Sequence, residues 1–361
     1  MKPPFRADHV GSLLRPPELV SARTRFRAGE ISAQALKEAE DRAILQAVHR
    51  QEAIGLKSVT DGEMRRDWWH LDFLGQLEGV TMTANPGPKF GGTEEQPPIP
   101  SVTGRVRCAR PIMVEHFASL RSVARETPKF TIPSPSMLHL RGGRASISRA
   151  AYPDLAPFWA DVAAAYREEI RHLAAAGCTY LQLDDVSFAY LCDPKIRDNC
   201  RRNGDDPEQL PRLYAQTIAA ALADRPAGMT VTMHTCRGNF KSAWVASGGY
   251  EPVAEAMFSA PVDAFFMEFD SERAGTFEPL RLLPRGKKVV LGLVTTKVGA
   301  LEDRDTLKRR IDEAARYVPL ENLCLSPQCG FASTHHGNAL SIEEQWRKLE
   351  LVVEVAREVW G

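Results

Sequence analysis

The chain has 361 residues, 43% of them apolar, enough to bury a full core in one large α/β domain or two small ones. Lys plus Arg and Asp plus Glu number 46 each, so no excess of either sign is available to hold nucleic acid or an anionic membrane over a broad surface. Met1 to Ser12 lacks the apolar run of a signal peptide, no stretch approaches the roughly 20 apolar residues that span a bilayer, and seven cysteines are an odd count that argues against a disulfide framework, so a soluble cytoplasmic protein with reduced thiols is expected.

Asp8 to Gly11 is expected to form a short first strand. A helix from Ala33 to Ile54 follows, and then a second strand from Lys57 to Thr60. Gly79 to Cys108 interrupts the alternation: Val80-Thr-Met-Thr and Ser101-Val-Thr-Gly-Arg-Val-Arg flank a loop rich in Gly and Pro. This pattern predicts a β-hairpin inserted after the second strand, at about 79–109, within a single domain covering 1–361. Further strands are expected at Lys129 to Pro133, Thr179 to Asp184, Thr230 to Thr235, Ala264 to Glu268, Lys288 to Leu293 and Leu323 to Ser326. Helical spacing marks Pro157 to Ala176, Pro207 to Ala223, Leu307 to Tyr317 and Ile342 to Trp360. Eight near-continuous apolar strands alternating with helices predict a parallel sheet closed into a (β/α)₈ TIM barrel, whose active site lies at the C-terminal ends of its strands.

The polar residues at those ends are therefore the ones that could carry chemistry. Met233-His234-Thr235-Cys236 places an imidazole and a thiol on the same side of a strand, because alternate residues share a face. Taken alone, the pair also fits a buried histidine and a core cysteine. Glu268 follows the apolar run Phe265-Phe266-Met267 and needs a cation, a proton or dense hydrogen bonding; an arginine partner is its plainer explanation. Cys329 sits on a turn in Pro327-Gln328-Cys329-Gly330. One nitrogen, two sulfurs and one oxygen at one barrel mouth suit Zn²⁺, with Glu268 the ligand that would give way to substrate.

Zinc suits a thiol substrate, since a free thiol is only a few per cent ionised at pH 7 and a metal-bound one is deprotonated outright. Full ionisation is worth about thirtyfold, or roughly 2 kcal/mol, so alignment of the two substrates must supply most of the remaining acceleration. Ser12, Glu63 and Asp184 face the same mouth. Each could simply cap the next helix; together they could clamp an amino acid, with Glu63 and Asp184 on the ammonium and Ser12 on the carboxylate. Trp68, Trp69 and the loop around Pro97 and Pro98 could form a donor pocket or a subunit contact, although packing is the commoner role for tryptophan.

His234-Thr-Cys236, Phe-Met-Glu268, Pro327-Gln-Cys329-Gly330, Asp61-Gly-Glu63 and Gln182-Leu-Asp184-Asp185 resemble the metal and homocysteine motifs of the C-terminal half of cobalamin-independent methionine synthase. The similarity runs from Val10-Gly-Ser12 to the last helix. It implies a TIM barrel with zinc on His234, Cys236, Glu268 and Cys329, homocysteine on Ser12, Glu63 and Asp184, and S-methylation of homocysteine to methionine. Two departures stand out. No residues remain for the second barrel that helps bind the methyltetrahydrofolate donor, which leaves a folate or a methylated corrinoid protein as donor. The family's histidine after the seventh strand is replaced by Val294-Thr295-Thr296-Lys297, with His335 or His336 as possible proton shuttles. Alternatives are an alkyltransferase acting on another thiol, with a donor such as an epoxide, and a non-catalytic corrinoid-docking partner.

Overall fold

The computed structural model describes residues 2–84 and 98–361. The strands are β1 (Ser58–Val59), β2 (Glu78–Thr83), β3 (Ile99–Arg107), β4 (Thr127–Pro133), β5 (Tyr180–Asp185), β6 (Thr230–Thr235), β7 (Ala264–Glu268), β8 (Lys288–Val294) and β9 (Leu323–Pro327). The helices are α1 (Pro17–Arg27), α2 (Ala33–Ala53), α3 (Leu71–Leu74), α4 (Val114–Val123), α5 (Leu155–Ala175), α6 (Ser187–Tyr190), α7 (Pro194–Arg202), α8 (Leu210–Ala221), α9 (Ala254–Ser259), α10 (Arg304–Ala314) and α11 (Ile342–Trp360). Seven strands form one curled parallel sheet in the order β1-β4-β5-β6-β7-β8-β9. Strands β2 and β3 pair antiparallel as a separate ribbon; the segment between them, with Pro97, lies outside the described residues.

Alternation along the strands sorts the side chains into two environments. Leu181, Leu183, Met233, Phe265, Met267 and Leu291 join the large apolar cluster shared with the helices. Phe266, Val290 and Cys324 form a small separate cluster with Val10. The residues in step with this second set point into the curl of the sheet, and they include Gln182, Asp184, His234 and Glu268. Pairing of Asp184 with His234 across β5 and β6 sets those two side by side near the C-terminal ends of the strands.

The expected first strand differs from the structure. Residues 8–11 form no regular strand: Ala7 makes a single parallel bridge to Leu325, flanked by Asp8 N–H to the Leu325 carbonyl at 3.0 Å and Leu325 N–H to the Arg6 carbonyl at 2.8 Å. Toward β1 the contact runs through side chains. Ser58 Oγ donates to Asp8 Oδ1 at 2.8 Å and Thr60 Oγ1 donates to the Gly11 carbonyl at 2.6 Å. Two features accompany this: Gly11 has a φ of +146°, and Asp8 is committed inward to partners distant in sequence. The Asp8 carboxylate, fully buried, accepts Tyr180 Oη at 2.8 Å and pairs with the equally buried Lys129 at 3.2 Å. A buried charge pair of this kind is stabilising only while both partners are present.

Helix starts follow capping chemistry. Ser32 accepts the Ala35 N–H, Asp303 accepts the Thr306 N–H, and Ser341 with Glu344 forms a capping box at α11. The cap at Asp303 starts α10 three residues before the expected Leu307. Conversely, the helix expected from Pro207 begins at Leu210, because the Asp206 carboxylate takes the Glu208 N–H at 3.0 Å in a turn of its own. Among the described residues no helix is long and apolar enough to cross a membrane.

Candidate metal and substrate site

The C-terminal ends of the strands open on a cavity of about 640 Å³, counted to its mouth. Its lining includes Ser12, Glu63, Asp184, His234, Cys236 and Cys329, brought from five segments of the chain, together with Trp68, Trp69, His70, Arg141, Tyr190 and Phe240. His234, Cys236 and Cys329 are all buried, and each offers a ligand atom within 4.8 Å of the others. The two sulfurs stand 3.4 Å apart. That is too far for a disulfide, while two sulfurs about 2.3 Å from one tetrahedral zinc would stand about 3.8 Å apart.

The donor set fits a soft divalent ion in a second respect. Neither ring nitrogen of His234 has a hydrogen-bond partner at normal geometry, although only 3% of the residue is exposed. An orphaned buried imidazole between two thiols is what a nitrogen- and sulfur-liganded metal site leaves when described without its ion. The two thiols are pushed in opposite directions: the Cys236 hydrogen bond holds the Cys329 thiol well below its ordinary range, and the same contact, aided by burial, pushes Cys236 up. Burial works against protonation of His234, but the Cys329 sulfur, Asp184 and Glu268 outweigh it and raise its pKa.

Glu268 is not part of that group. Its carboxylate accepts the Arg237 N–H at 2.9 Å through Oε2 and is ion-paired through Oε1 with Arg273, which also holds Asp270 at 3.0 Å. The arginine partner considered from sequence is therefore present, and Glu268 stands beside the trio rather than on it. A second grouping, Cys108, Glu169 and His172, also lies within 4.8 Å. There, however, the carboxylate already accepts the Ile112 and Met113 N–H groups at 2.9 and 2.8 Å.

Two carboxyl groups stand on the same side of the cavity as the trio. Glu63 occupies a left-handed conformation, φ +55°, after Gly62, in a turn closed by its own N–H on Asp61 Oδ1 at 2.9 Å. A non-glycine residue held there costs on the order of 1 kcal/mol or more, and such strain gathers at functional sites. Glu63 Oε1 accepts Thr131 Oγ1 at 2.9 Å, while its buried Oε2 has no partner. Burial raises the Glu63 pKa, with Arg66 opposing. Burial likewise lifts Asp184 to about 7, against the pull of His234. Ser12 is pinned by close approach of the Cys329-Gly330 turn, where the Phe331 N–H donates to the Ser12 carbonyl at 2.9 Å.

Two other expected positions are placed differently. His335 packs edge-on to Trp68 and is not among the residues lining the cavity. Where the resemblance puts a histidine, Lys297 donates to the Gly238 carbonyl at 3.2 Å, and its charge helps lower the thiol pKa of Cys329. Trp68 is held over the mouth by an antiparallel bridge to Thr334 and stacks on Phe240, rings 3° from parallel and 5.9 Å apart. His70, Arg141 and Tyr190 were not singled out from sequence, since no spacing pattern marks them.

Residues 5–358 match the family model described as the catalytic domain of cobalamin-independent synthase. The chain belongs to this family. It is 47% identical to the Bacillus subtilis protein YxjH, itself uncharacterized, over 99% of this chain and 96% of that one. It is 27% identical to a 5-methyltetrahydropteroyltriglutamate–homocysteine methyltransferase of Corynebacterium efficiens, over 66% of this chain and 30% of that protein. Among solved structures, one from Listeria monocytogenes, whose name assigns it to the vitamin-B12-independent methionine synthases, superposes with a TM-score of 0.80 at 40% identity, covering 99% of this chain and 98% of that one.

Proposed function

We propose that this member of the family is a zinc-dependent homocysteine S-methyltransferase that forms methionine, with a methyltetrahydropteroyl compound as donor. The observation that carries the proposal is the buried trio of His234, Cys236 and Cys329, whose ligand atoms all lie within 4.8 Å of one another. His234, Cys236 and Cys329 would hold the ion, with Glu268 free to join them by leaving Arg273. Bound there, zinc would supply the positive charge that keeps a substrate thiol deprotonated. The donor named for the Corynebacterium relative supports a folate, and no relative described above points to a corrinoid. The seven strands and the bridged segment at Ala7 would together make one (β/α)₈ barrel over 1–361, with the β2–β3 ribbon as an excursion.

The chain's own residues then have distinct tasks. Glu63, whose buried Oε2 has no hydrogen-bond partner, and the buried Asp184 would take the substrate ammonium, and Ser12 its carboxylate. This clamp fixes the sulfur over the metal ligands and converts an encounter of two substrates into a reaction within one cavity. The stacked Trp68 and Phe240 exclude water from the mouth. The test is methionine formation from homocysteine and 5-methyltetrahydropteroyl donors, together with metal analysis. One zinc per chain is expected, and Cys329→Ser should lose both the metal and the activity. If Cys329→Ser keeps wild-type activity, the mechanism is wrong.

A further inference from the structure

His70 lines the cavity, is 2% exposed, and has no hydrogen-bond partner on either ring nitrogen. Its position is not loose: the carbonyl accepts the Leu74 N–H at 3.0 Å, and the ring lies against Trp69 with centroids 4.6 Å apart. A buried imidazole with both nitrogens unused is costly unless water or a ligand in the cavity completes it. Burial and the nearby Arg141 charge keep this ring neutral near pH 7, so it offers one N–H donor and one acceptor.

The cavity is divided between two sets of residues. Glu63 is tied to Thr131 and lies near Arg66, Asp184 is bonded to Gln182, and both belong with the metal trio, Asp184 sensing Glu63 and His234. His70 instead senses Arg141 and sits with the indoles of Trp68 and Trp69. If homocysteine occupies the acidic set with its sulfur on the metal ligands, the second substrate must present its methyl group from the remaining wall. That wall offers flat aromatic faces, one neutral donor–acceptor ring and the Arg141 guanidinium, a surface suited to a planar heterocycle bearing N–H and C=O or ring-nitrogen groups.

We propose that His70 is a donor-binding residue, whose imidazole hydrogen-bonds the heterocycle of the methyl donor. The proposal rests on the two-substrate function above, but its test reads donor binding directly. Binding of 5-methyltetrahydropteroylglutamate to the zinc-loaded protein is followed by calorimetry in wild type, His70→Phe and His70→Gln, and homocysteine binding is followed by the change in the zinc X-ray absorption edge. Phenylalanine keeps a ring against Trp69 and deletes both hydrogen bonds; glutamine restores a donor and an acceptor.

The expected result is a donor affinity weakened about tenfold or more in His70→Phe, largely recovered in His70→Gln, with the homocysteine-induced edge change intact in both. Should His70→Phe fail to melt cooperatively, His70→Ala takes its place in the same comparison. Wild-type donor affinity in the folded variant, an equal loss for both substrates, or no donor binding by wild type would overturn the assignment. A wild-type protein that binds the donor but shows no edge change with homocysteine would instead sink the thiol chemistry and leave the His70 result standing.

Discussion

Replacing Arg273 by methionine tests how the Glu268 carboxylate is held. Arg273 is the cation on two carboxylates at once, Glu268 at 0% side-chain exposure and Asp270 at 4%. Methionine keeps an unbranched apolar stem, though a shorter one, beneath Trp244, over which the guanidinium lies at 4.9 Å. What is lost is the positive charge. Removing one partner of a buried pair costs about 3–5 kcal/mol, because the other charge stays behind uncompensated. The Arg237 N–H on Glu268 remains and offsets part of this, which places the expected loss near about 3 kcal/mol. Urea unfolding in the presence of a chelator measures it. Glu268→Gln in the Arg273→Met background should restore about 2 kcal/mol, since a neutral amide needs no counter-charge. With zinc bound, the single variant should recover much of its deficit, because the released carboxylate has a cation to join. The reasoning fails if Arg273→Met unfolds within 1 kcal/mol of wild type in chelator, or if the double variant is no more stable than the single one.

A Cβ added at Gly330 would stand 1.9 Å from Ser12 Oγ and 3.1 Å from its Cβ, so Gly330→Ala should turn the hydroxyl away and raise the homocysteine KM on the order of tenfold, while destabilising the fold by only about 1–2 kcal/mol in urea. Burial, followed by the charge of Lys129, lowers the His9 pKa from 6.5 to about 4. Between those values the unfolded chain binds more protons than the folded one, so stability should fall as pH drops from 6.5 to 4 by about 3 kcal/mol, and His9→Asn should flatten that part of the pH–stability curve. Lys129→Met should cost about 3–5 kcal/mol by stranding Asp8, a loss that a matching Asp8→Asn change reduces; equal stability of Lys129→Met and wild type would contradict the account of the buried pair.

How much of this was legible depends on whether a residue's partner is local. His234 and Cys236 could be placed on one face because strand alternation is a local rule, and the structure sets both in the cavity lining with Cys329. Glu268 could be placed at a strand end, but its present partner lies in the turn Glu272–Ala274, whose geometry no pattern announces. The first segment, Asp8 to Gly11, read as a strand. Its pairing depends on Asp8 reaching Ser58, Lys129 and Tyr180, three contacts distant in sequence, so it forms one bridge instead of a ladder. The strap carrying Trp68 is likewise fixed from far away, by Thr334 and by the Ser333 carbonyl that accepts the Trp69 N–H at 3.0 Å. His70 has no spacing partner at all, and only burial without a hydrogen bond marks it.

The arginines near Glu63 clarify how its turn is held. Arg15 is buried, yet its guanidinium is spent on backbone, donating to the carbonyls of Ala332, Glu63 and Arg66 at 2.6, 2.9 and 2.9 Å. Arg66 gives its shortest bond to the Thr131 carbonyl at 2.6 Å and stands 3.6 Å from Glu63. Both cations brace the turn that carries Glu63. Burial pushes Glu63 and Asp184 up, as it does the arginine-paired Glu268, but here one oxygen of Glu63 is left with no donor. The unpartnered Glu63 oxygen is what supports the proposed clamp, in which a primary ammonium group would supply a positive charge and N–H donors.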